Sequence, residues 1–112
     1  MGLPVLPNVT ADEYLAFENS SDTKHEYFDG VIVAMAGTSF NHNFIFANLI
    51  DEIHLFLKDK KCNVFGSELR VATPFFSSYM YPDLIIVCDD LERQESKFDT
   101  LTNPSVIIEI MS

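Results

Sequence analysis

The segment Tyr81-Pro82-Asp83-Leu84-Ile85-Ile86-Val87-Cys88 is the most informative indicator of fold class in this chain of 112 residues. Its uninterrupted apolar run, opened by a proline and an acid, is typical of a β-strand that is covered on both faces. A similar run, Val106-Ile107-Ile108, lies within the segment Ser105–Met111 near the end of the chain. The two runs predict two buried strands, which are separated by the long polar connection Asp89–Pro104.

A third strand is predicted upstream of these runs, over Asn63–Thr73. Its apolar and polar residues alternate, as expected of a strand with one less buried face. The alternation places Glu68 and Arg70 on the same face. The segment Pro74–Met80 predicts the turn that leads into the strand at Tyr81–Cys88, so the C-terminal half of the chain contributes three strands.

A long amphipathic helix is predicted before these strands. Gly37-Thr38-Ser39 offers a helix start, and apolar residues then recur at helical spacing as far as Leu57. They form one wide stripe, so we expect a helix of roughly 18–20 residues that ends near Lys58 and lies against a sheet. The residues of this stripe are Phe46, Leu49, Ile50, Ile53, Phe56 and Leu57.

The N-terminal third predicts a short helix followed by a hairpin. Thr10-Ala11-Asp12-Glu13 matches a capping box, which indicates a helix over residues 10–18. Lys24–Phe28 and Val31–Ala36 flank Asp29-Gly30, a strong signal for a two-residue hairpin turn. The order of elements predicts one α/β domain over residues 1–112, or α+β by strict connectivity.

Composition and charge exclude several classes of protein function. The net charge of −10 comes from 17 acids and 7 bases, so phosphate backbones are repelled unless a divalent cation intervenes. No apolar run reaches the length of a membrane span, and we expect no membrane partner and a cytoplasmic location. Cys62 and Cys88 are expected to be reduced, buried thiols. The sequence carries no P-loop, dinucleotide fingerprint, zinc spacing or Ser/His/Asp order.

Two carboxylates occupy unusual positions for strand residues. Asp83 lies at the start of one apolar strand, and Glu109 interrupts the other apolar strand near its end. If these strands are antiparallel neighbours, the two carboxylates meet at one edge of the sheet and form a plausible Mg²⁺ site. The alternative for each acid is an edge position or a salt bridge, since a buried carboxylate needs a partner.

Three other side chains are weaker candidates. Glu68 could lie beside the carboxylate pair, although a surface ion pair explains it equally well. His42, in the first turn of the long helix, points toward the sheet and is either a catalytic group or a hydrogen-bonded core residue. Glu26, on the hairpin, is either a site residue or a solvated acid.

Five segments together resemble one protein family, the Uma family of putative restriction endonucleases. The resemblance runs in order from Thr10 to Ser112, and no single segment is specific by itself. The segments are Lys24-His25-Glu26-Tyr27-Phe28-Asp29-Gly30, Met35-Ala36-Gly37-Thr38-Ser39-Phe40-Asn41-His42-Asn43, Val64-Phe65-Gly66-Ser67-Glu68-Leu69-Arg70-Val71, Tyr81-Pro82-Asp83 and Val106-Ile107-Ile108-Glu109-Ile110-Met111-Ser112.

The resemblance implies a restriction-endonuclease-like fold of the PD-(D/E)XK superfamily that hydrolyses DNA phosphodiester bonds. Pro82-Asp83 resembles the PD element and Glu109 resembles the second acid. These two acids would hold Mg²⁺ or Mn²⁺, with the backbone carbonyl of Ile110 as a further ligand. Glu26 and His42 match positions characteristic of the family.

The chain departs from the family pattern at its C-terminal end. Met111 stands where the general pattern places a lysine, and the final helix and strand of the fold are missing. Because a lysine orients the attacking water and balances charge in the transition state, its loss should lower the rate by orders of magnitude. The sequence therefore predicts either a metal-dependent endonuclease of weakened activity or a non-catalytic remnant that forms a homodimer through its incomplete sheet.

Overall fold

The computed structural model describes the backbone of residues 4–6, 8–94 and 99–111, and the side chains of residues 8–94 and 99–111. Within these residues it has two α-helices, ten short strands and one 3₁₀ turn at Pro74–Phe76. The helices are α1 (Ala11–Asn19) and α2 (Phe40–Leu57). The strands are β1 (Pro4–Leu6), β2 (His25–Phe28), β3 (Val31–Ala34), β4 (Asn63–Gly66), β5 (Arg70–Ala72), β6 (Ser78–Met80), β7 (Leu84–Val87), β8 (Arg93–Gln94), β9 (Thr100–Leu101) and β10 (Val106–Ile108).

The N-terminal predictions are confirmed. The Thr10 side chain accepts a hydrogen bond from the Glu13 backbone, and the Glu13 side chain accepts one from the Thr10 backbone, so the capping box begins α1 as expected. Strands β2 and β3 form the predicted antiparallel hairpin. Its turn residues Asp29 and Gly30 both have positive φ, at 43° and 91°, which matches the twist of a tight hairpin and favours glycine at the second position.

The larger sheet has seven strands in the order β1-β3-β2-β6-β5-β9-β8. Helix α1 covers it and contributes Tyr14, which is fully buried and stacks on Tyr27 and Tyr79 with ring centroids 5.3 and 5.2 Å away. The Tyr14 hydroxyl donates to the His25 carbonyl. The core of this sheet is therefore built largely from aromatic rings with satisfied polar ends.

The smaller sheet has three antiparallel strands in the order β10-β7-β4. Its central strand, β7, contains the fully buried residues Leu84, Ile85 and Val87, as its apolar run predicted. Helix α2 packs on β4, where Gly66 lacks a Cβ atom that would lie 3.7 Å from the Phe46 ring. The antiparallel arrangement of β7 and β10 confirms the strand pairing on which the predicted carboxylate site depends.

One predicted strand, over residues 63–73, is divided between the sheets, and the predicted strand Tyr81–Cys88 is reduced to β7 at Leu84–Val87. Residues 63–73 form β4 and β5, because a tight turn closed by the Leu69 N–H and the Gly66 carbonyl separates them. Residues 78–87 form β6 and β7, because Pro82 has no N–H to continue a ladder. The prediction of a turn over Pro74–Met80 was wrong at its C-terminal end, and the connection at 89–104 contains β8 and β9 in its described part.

Two predictions of burial were wrong. Strand β10 is the outer strand of the smaller sheet, so Val106 and Ile107 are 46% and 38% exposed although their sequence resembles a strand covered on both faces. Phe56 is 71% exposed because it lies at the margin of the apolar stripe of α2, where the Lys60 ammonium lies 4.4 Å from its ring centroid. Leu57, in the same stripe, is buried as expected.

The two cysteines are joined in a disulfide, which contradicts the prediction of reduced thiols. Cys62 directly precedes β4 and Cys88 directly follows β7. Since Asn63 pairs with Val87, the antiparallel register brings the two cysteines opposite each other although they are 26 residues apart in sequence. Sequence spacing carries no information on this pairing. No helix among the described residues is long and apolar enough to cross a membrane.

Candidate active site

The candidate site lies where the chain passes from the larger sheet to the smaller one, at Tyr81-Pro82-Asp83. Tyr81 and Pro82 are buried, which fixes the backbone immediately before Asp83. The Tyr81 backbone N–H donates to Glu26 Oε2 on β2 at 2.9 Å. The link between the sheets therefore positions one candidate acid directly and holds a second one through a hydrogen bond.

Asp83 is held by groups from two other elements. Its Oδ1 atom lies 3.0 Å from His42 Nε2, in the first turn of α2. Its Oδ2 atom accepts the Ile110 backbone N–H at 2.8 Å, just beyond β10. Such charge-assisted contacts fix the orientation of a carboxylate. His42 faces the sheet as predicted, and its observed partner is the candidate metal ligand.

Glu109 lies opposite Asp83 in the antiparallel pairing of β10 with β7. Ile108 pairs with Leu84, so the register continued by one residue places Glu109 opposite Asp83, with both side chains on the same face. Partial burial, followed by the charges of Asp83 and Glu26, raises the pKa of the Glu109 carboxyl group. His42 acts in the opposite direction.

Glu26 belongs to the same electrostatic cluster. Burial is the main cause that raises the pKa of its carboxyl group, and Asp83 adds to the effect, whereas the hydrogen bond from the Tyr81 N–H opposes it. Each of the three acids therefore interacts with the other two. Crowded carboxylates that are partly removed from water favour either a proton or a cation.

Two adjoining cavities surround the Asp83–His42 pair. The first, of about 350 Å³, is the carboxylate cavity, lined by Glu26, Met35, Ala36, Gly37, His42, Tyr81, Asp83, Glu109, Ile110 and Met111. The second, of about 520 Å³, is the lysine cavity, lined by Thr23, Lys24, Met35, Ala36, Gly37, Thr38, His42, Asn43, Phe46, Ser67 and Asp83. Lys24 is a residue that sequence reasoning did not select as a candidate, because it is distant in sequence from both candidate metal ligands.

Four of the five predicted catalytic residues come together, and Glu68 does not. Asp83, Glu109, Glu26 and His42 line the carboxylate cavity. Glu68 extends into solvent, where its side chain is 92% exposed and its Oε1 atom lies 2.8 Å from Lys24 Nζ. The ion-pair interpretation of Glu68 therefore fits the structure. Glu68 lies in the turn between β4 and β5, whereas Arg70 begins β5, is buried and donates to Thr100 Oγ1 at 2.8 Å, so the two do not share a face as predicted.

The donor set of the carboxylate cavity suits a hard divalent cation. Carboxylate oxygens are the protein ligands that Mg²⁺ and Mn²⁺ prefer, and Asp83 and Glu109 supply them from adjacent strands. Among the described residues, however, no three His, Cys, Asp or Glu side chains form a ready-made metal cluster. Such a site would thus rely on two carboxylates with water and substrate completing the coordination. Coordination by the Ile110 carbonyl stays a prediction.

Comparisons with known proteins identify the family. Residues 11–112 match the family model Uma2, described as putative restriction endonuclease. Two curated proteins of Synechocystis sp. (strain ATCC 27184 / PCC 6803 / Kazusa), uncharacterized proteins slr1290 and sll1609, are each 34% identical to this chain. The alignments cover 95% and 93% of this chain but only 55% and 59% of those relatives. The chain thus spans little more than half of their length.

The fold is also found in a solved structure. A crystal structure of a putative nuclease from Anabaena variabilis superimposes with a TM-score of 0.70 at 22% sequence identity, over 93% of this chain and 59% of that one. This likeness concerns the fold, which is the mixed α+β, restriction-endonuclease-like arrangement that the sequence predicted. From the family match and the fold together, this chain belongs to the Uma2 family of putative restriction endonucleases.

Proposed function

We propose that this chain is a metal-dependent endonuclease that hydrolyses DNA phosphodiester bonds, with Asp83 and Glu109 as ligands of Mg²⁺ or Mn²⁺. The observation that carries the proposal is the position of Asp83. It lies opposite Glu109 and is held from two sides, by His42 and by the Ile110 N–H. DNA as the substrate is consistent with a cytoplasmic location, which we propose as well, although a disulfide such as Cys62–Cys88 is rare in that compartment.

The residues of the site have separable roles in this proposal. A divalent cation held here would activate a water molecule and offset the charge of the phosphate. His42 and the Ile110 N–H keep the Asp83 carboxylate in one orientation. Glu26, fixed by the Tyr81 N–H, adds negative charge to the same cavity and strengthens its preference for a cation.

The charge balance of the chain agrees with cation-dependent chemistry. With a net charge of −10, the protein repels a DNA backbone over most of its surface. The three carboxylates of the cavity add to this repulsion where cleavage would occur. Met111, which stands where the family pattern has a lysine, is 90% exposed and offers no charge. We therefore expect slow cleavage that depends strictly on the divalent cation.

A plasmid-nicking assay tests the proposal. Supercoiled plasmid is incubated with the chain and Mg²⁺ or Mn²⁺, and the open-circular product is measured against an EDTA control. Glu109→Gln and Asp83→Asn should each lower the nicking rate at least 100-fold, about the loss of one group that stabilises transition-state charge. Glu52→Gln, the same change on the exposed side of α2, is the matched control and should leave the rate unchanged.

Two outcomes would contradict the nuclease proposal. One is nicking that persists in both site variants, which would indicate a contaminant. The other is the absence of nicking at any cation concentration by a protein whose thermal unfolding is cooperative. Near-ultraviolet circular dichroism of each variant checks that the surroundings of the four tyrosines are unchanged.

A second function is favoured by the exposed edge of the smaller sheet. In β10, Val106 and Ile107 are partly exposed, and β7 is its one strand partner among the described residues. An uncovered apolar edge strand favours pairing with another strand, so the alternative is a non-catalytic protein that forms a homodimer through β10. Sedimentation velocity should then show a dimer that Ile107→Lys dissociates. A monomer at ~100 μM would exclude this alternative.

A further inference from the structure

Lys24 lies on the same side of the hairpin as the candidate acid Glu26. It directly precedes β2, and Glu26 follows two residues later, so strand alternation gives the two side chains the same direction. His25, between them, is buried on the opposite side, with its exposed fraction at 8%. Lys24 therefore reaches the lysine cavity, which it lines together with His42 and Asp83.

The Lys24 ammonium contacts one solvent-exposed carboxylate and two less exposed groups, a backbone carbonyl and an aromatic ring. Its Nζ atom donates to Glu68 Oε1 at 2.8 Å and to the Ser67 carbonyl at 3.2 Å, and it lies 5.4 Å from the Tyr81 ring centroid. The Glu68 side chain is 92% exposed. Exposed ion pairs contribute little to stability, so an anion can replace Glu68 while the carbonyl and the ring keep the ammonium in place.

The lysine cavity supplies the positively charged side chain that the carboxylate cavity lacks. Of the described residues that line the two cavities, Lys24 is the sole lysine or arginine. Hydrogen-bonding side chains from Thr38, Asn43 and Ser67 also line the lysine cavity. A nucleic acid that places one phosphate beside Asp83 continues past the site, and a cation beside its neighbouring phosphate would stabilise that binding. His42 and Asp83 line both cavities, so Lys24 lies in the cavity that adjoins the candidate metal ligands.

We propose that Lys24 binds a backbone phosphate of the nucleic acid next to the one that is cleaved, and that this phosphate takes the place of Glu68. The inference rests on the proposed nuclease function and names the part of the substrate that the lysine cavity holds. Lys24 is a binding residue in this scheme. It holds the strand so that the adjacent phosphodiester lies against Asp83 and Glu109.

Equilibrium binding of a fluorescein-labelled DNA duplex of about 12 base pairs tests the inference without requiring cleavage. Anisotropy is measured with Ca²⁺ in place of Mg²⁺ at several salt concentrations. Lys24→Met should weaken binding about tenfold, the expected effect of one charged hydrogen bond. It should also lower the slope of log K against log salt by about 1, because one counterion-releasing contact is lost. Lys24→Arg should bind within about threefold of the unsubstituted chain, since it retains the charge.

Lys60→Met is the matched control, because it removes the same charge at the far end of the 18-residue helix α2. Leu57, at that end, lies roughly 22 Å from His42 along the helix axis, and Lys60 follows it by three residues. The control should change affinity less than twofold, and Glu68→Gln, which frees Lys24 from its exposed partner, should tighten binding about twofold to threefold. Thermal unfolding of each variant shows that the fold is retained.

The outcomes separate this inference from the nuclease proposal. Equal effects of Lys24→Met and Lys60→Met, with metal-dependent nicking intact, would overturn the role of Lys24 and leave the nuclease standing. A normal salt slope for Lys24→Met would also overturn it. If the unsubstituted chain neither binds the duplex nor nicks plasmid, both proposals fail together.

Discussion

Asp83 shows how one side chain can join elements that are distant in sequence. It begins β7, accepts the Ile110 N–H beyond β10 and pairs with His42 in α2. Both oxygens of its carboxylate are therefore occupied by partners from other elements. A substitution of Asp83 changes packing contacts together with chemistry, which makes Glu109, the more exposed of the two acids, the cleaner test of charge in the site.

The raised pKa of Glu109 predicts a pH-dependent stability of the metal-free protein. Because the folded state binds this proton more tightly than the unfolded state, with its ordinary pKa of 4.5, stability falls as pH rises from 4.5 through the folded pKa. Glu109→Gln should therefore raise the melting temperature at pH 7, and the difference should vanish below about pH 4, where the carboxyl is protonated in both states. Differential scanning fluorimetry from pH 3.5 to 8 measures this.

The same measurement with a divalent cation provides the control. Saturating Mg²⁺ should raise the melting temperature of the unsubstituted chain at pH 7 to that of Glu109→Gln, because a ligand that binds the native state stabilises it. The melting temperature of Glu109→Gln, which lacks one of the two proposed ligands, should hardly change. A melting temperature that falls for Glu109→Gln at pH 7, relative to the unsubstituted chain, would contradict the electrostatic interpretation of this site.

At the scale of elements, a buried polar network ties α1 to the larger sheet and to the link at Tyr81 that leads into the smaller one. Glu18, at 6% exposure, accepts hydrogen bonds from the His25 backbone N–H at 2.8 Å and from the Tyr81 hydroxyl at 2.8 Å, and its other oxygen lies 3.0 Å from His25 Nδ1. Burial, reinforced by Glu18, raises the pKa of Tyr81 to about 12, so this hydroxyl stays protonated and donates. The Tyr81 N–H in turn holds Glu26.

Removal of the Glu18 carboxylate should destabilise the protein strongly. Glu18→Ala leaves the His25 N–H and the Tyr81 hydroxyl without their buried acceptor, and loss of one partner from such a network costs about 3–5 kcal/mol. Denaturation in guanidinium chloride measures the free energy of unfolding. Asp22→Ala, an exposed acid in the following loop, should change it by less than about 0.5 kcal/mol. A Glu18→Ala loss below ~1 kcal/mol would show that the network contributes little.

At the scale of the whole molecule, the smaller sheet has a covalent link at one end and the candidate site at the other. The disulfide joins Cys62, before β4, to Cys88, after β7, whereas Asp83 stands at the opposite end of β7. The strand pair is therefore fixed at the end remote from Asp83. The length of the paired strands β4 and β7 separates the disulfide from the candidate metal ligands.

Reduction of the Cys62–Cys88 disulfide should lower the stability of the protein and have little effect on the activity of the candidate site. A closed loop of 26 residues corresponds to about 3 kcal/mol in the chain-entropy account. Dithiothreitol should therefore lower the free energy of unfolding by about that amount while the rate of metal-dependent nicking stays within twofold at 25 °C. The double variant Cys62→Ser/Cys88→Ser should show the lower stability without dithiothreitol and no further response to it. Identical stability in both redox states would contradict the crosslink.

Local patterns determined the parts of the fold that depend on neighbouring residues. The capping box begins α1, Asp29-Gly30 makes the hairpin turn, and the apolar stripe predicts α2 with its buried end at Leu57. The apolar run of β7 correctly predicted a buried strand, and the expected antiparallel pairing of β7 with the last strand is observed. Each of these features is set by interactions within a few residues or by the antiparallel geometry of adjacent strands.

Tertiary structure alone decided the features that depend on residues far apart in the chain. The exposure of β10, the division of residues 63–73 between two sheets and the Cys62–Cys88 bond follow from which strands become neighbours. The approach of Lys24 to Asp83 and the pairing of Glu68 with Lys24 have the same origin. Sequence periodicity records which face of an element is apolar, whereas strand order and the partner of each charged side chain arise from packing between elements, which a single sequence does not encode locally.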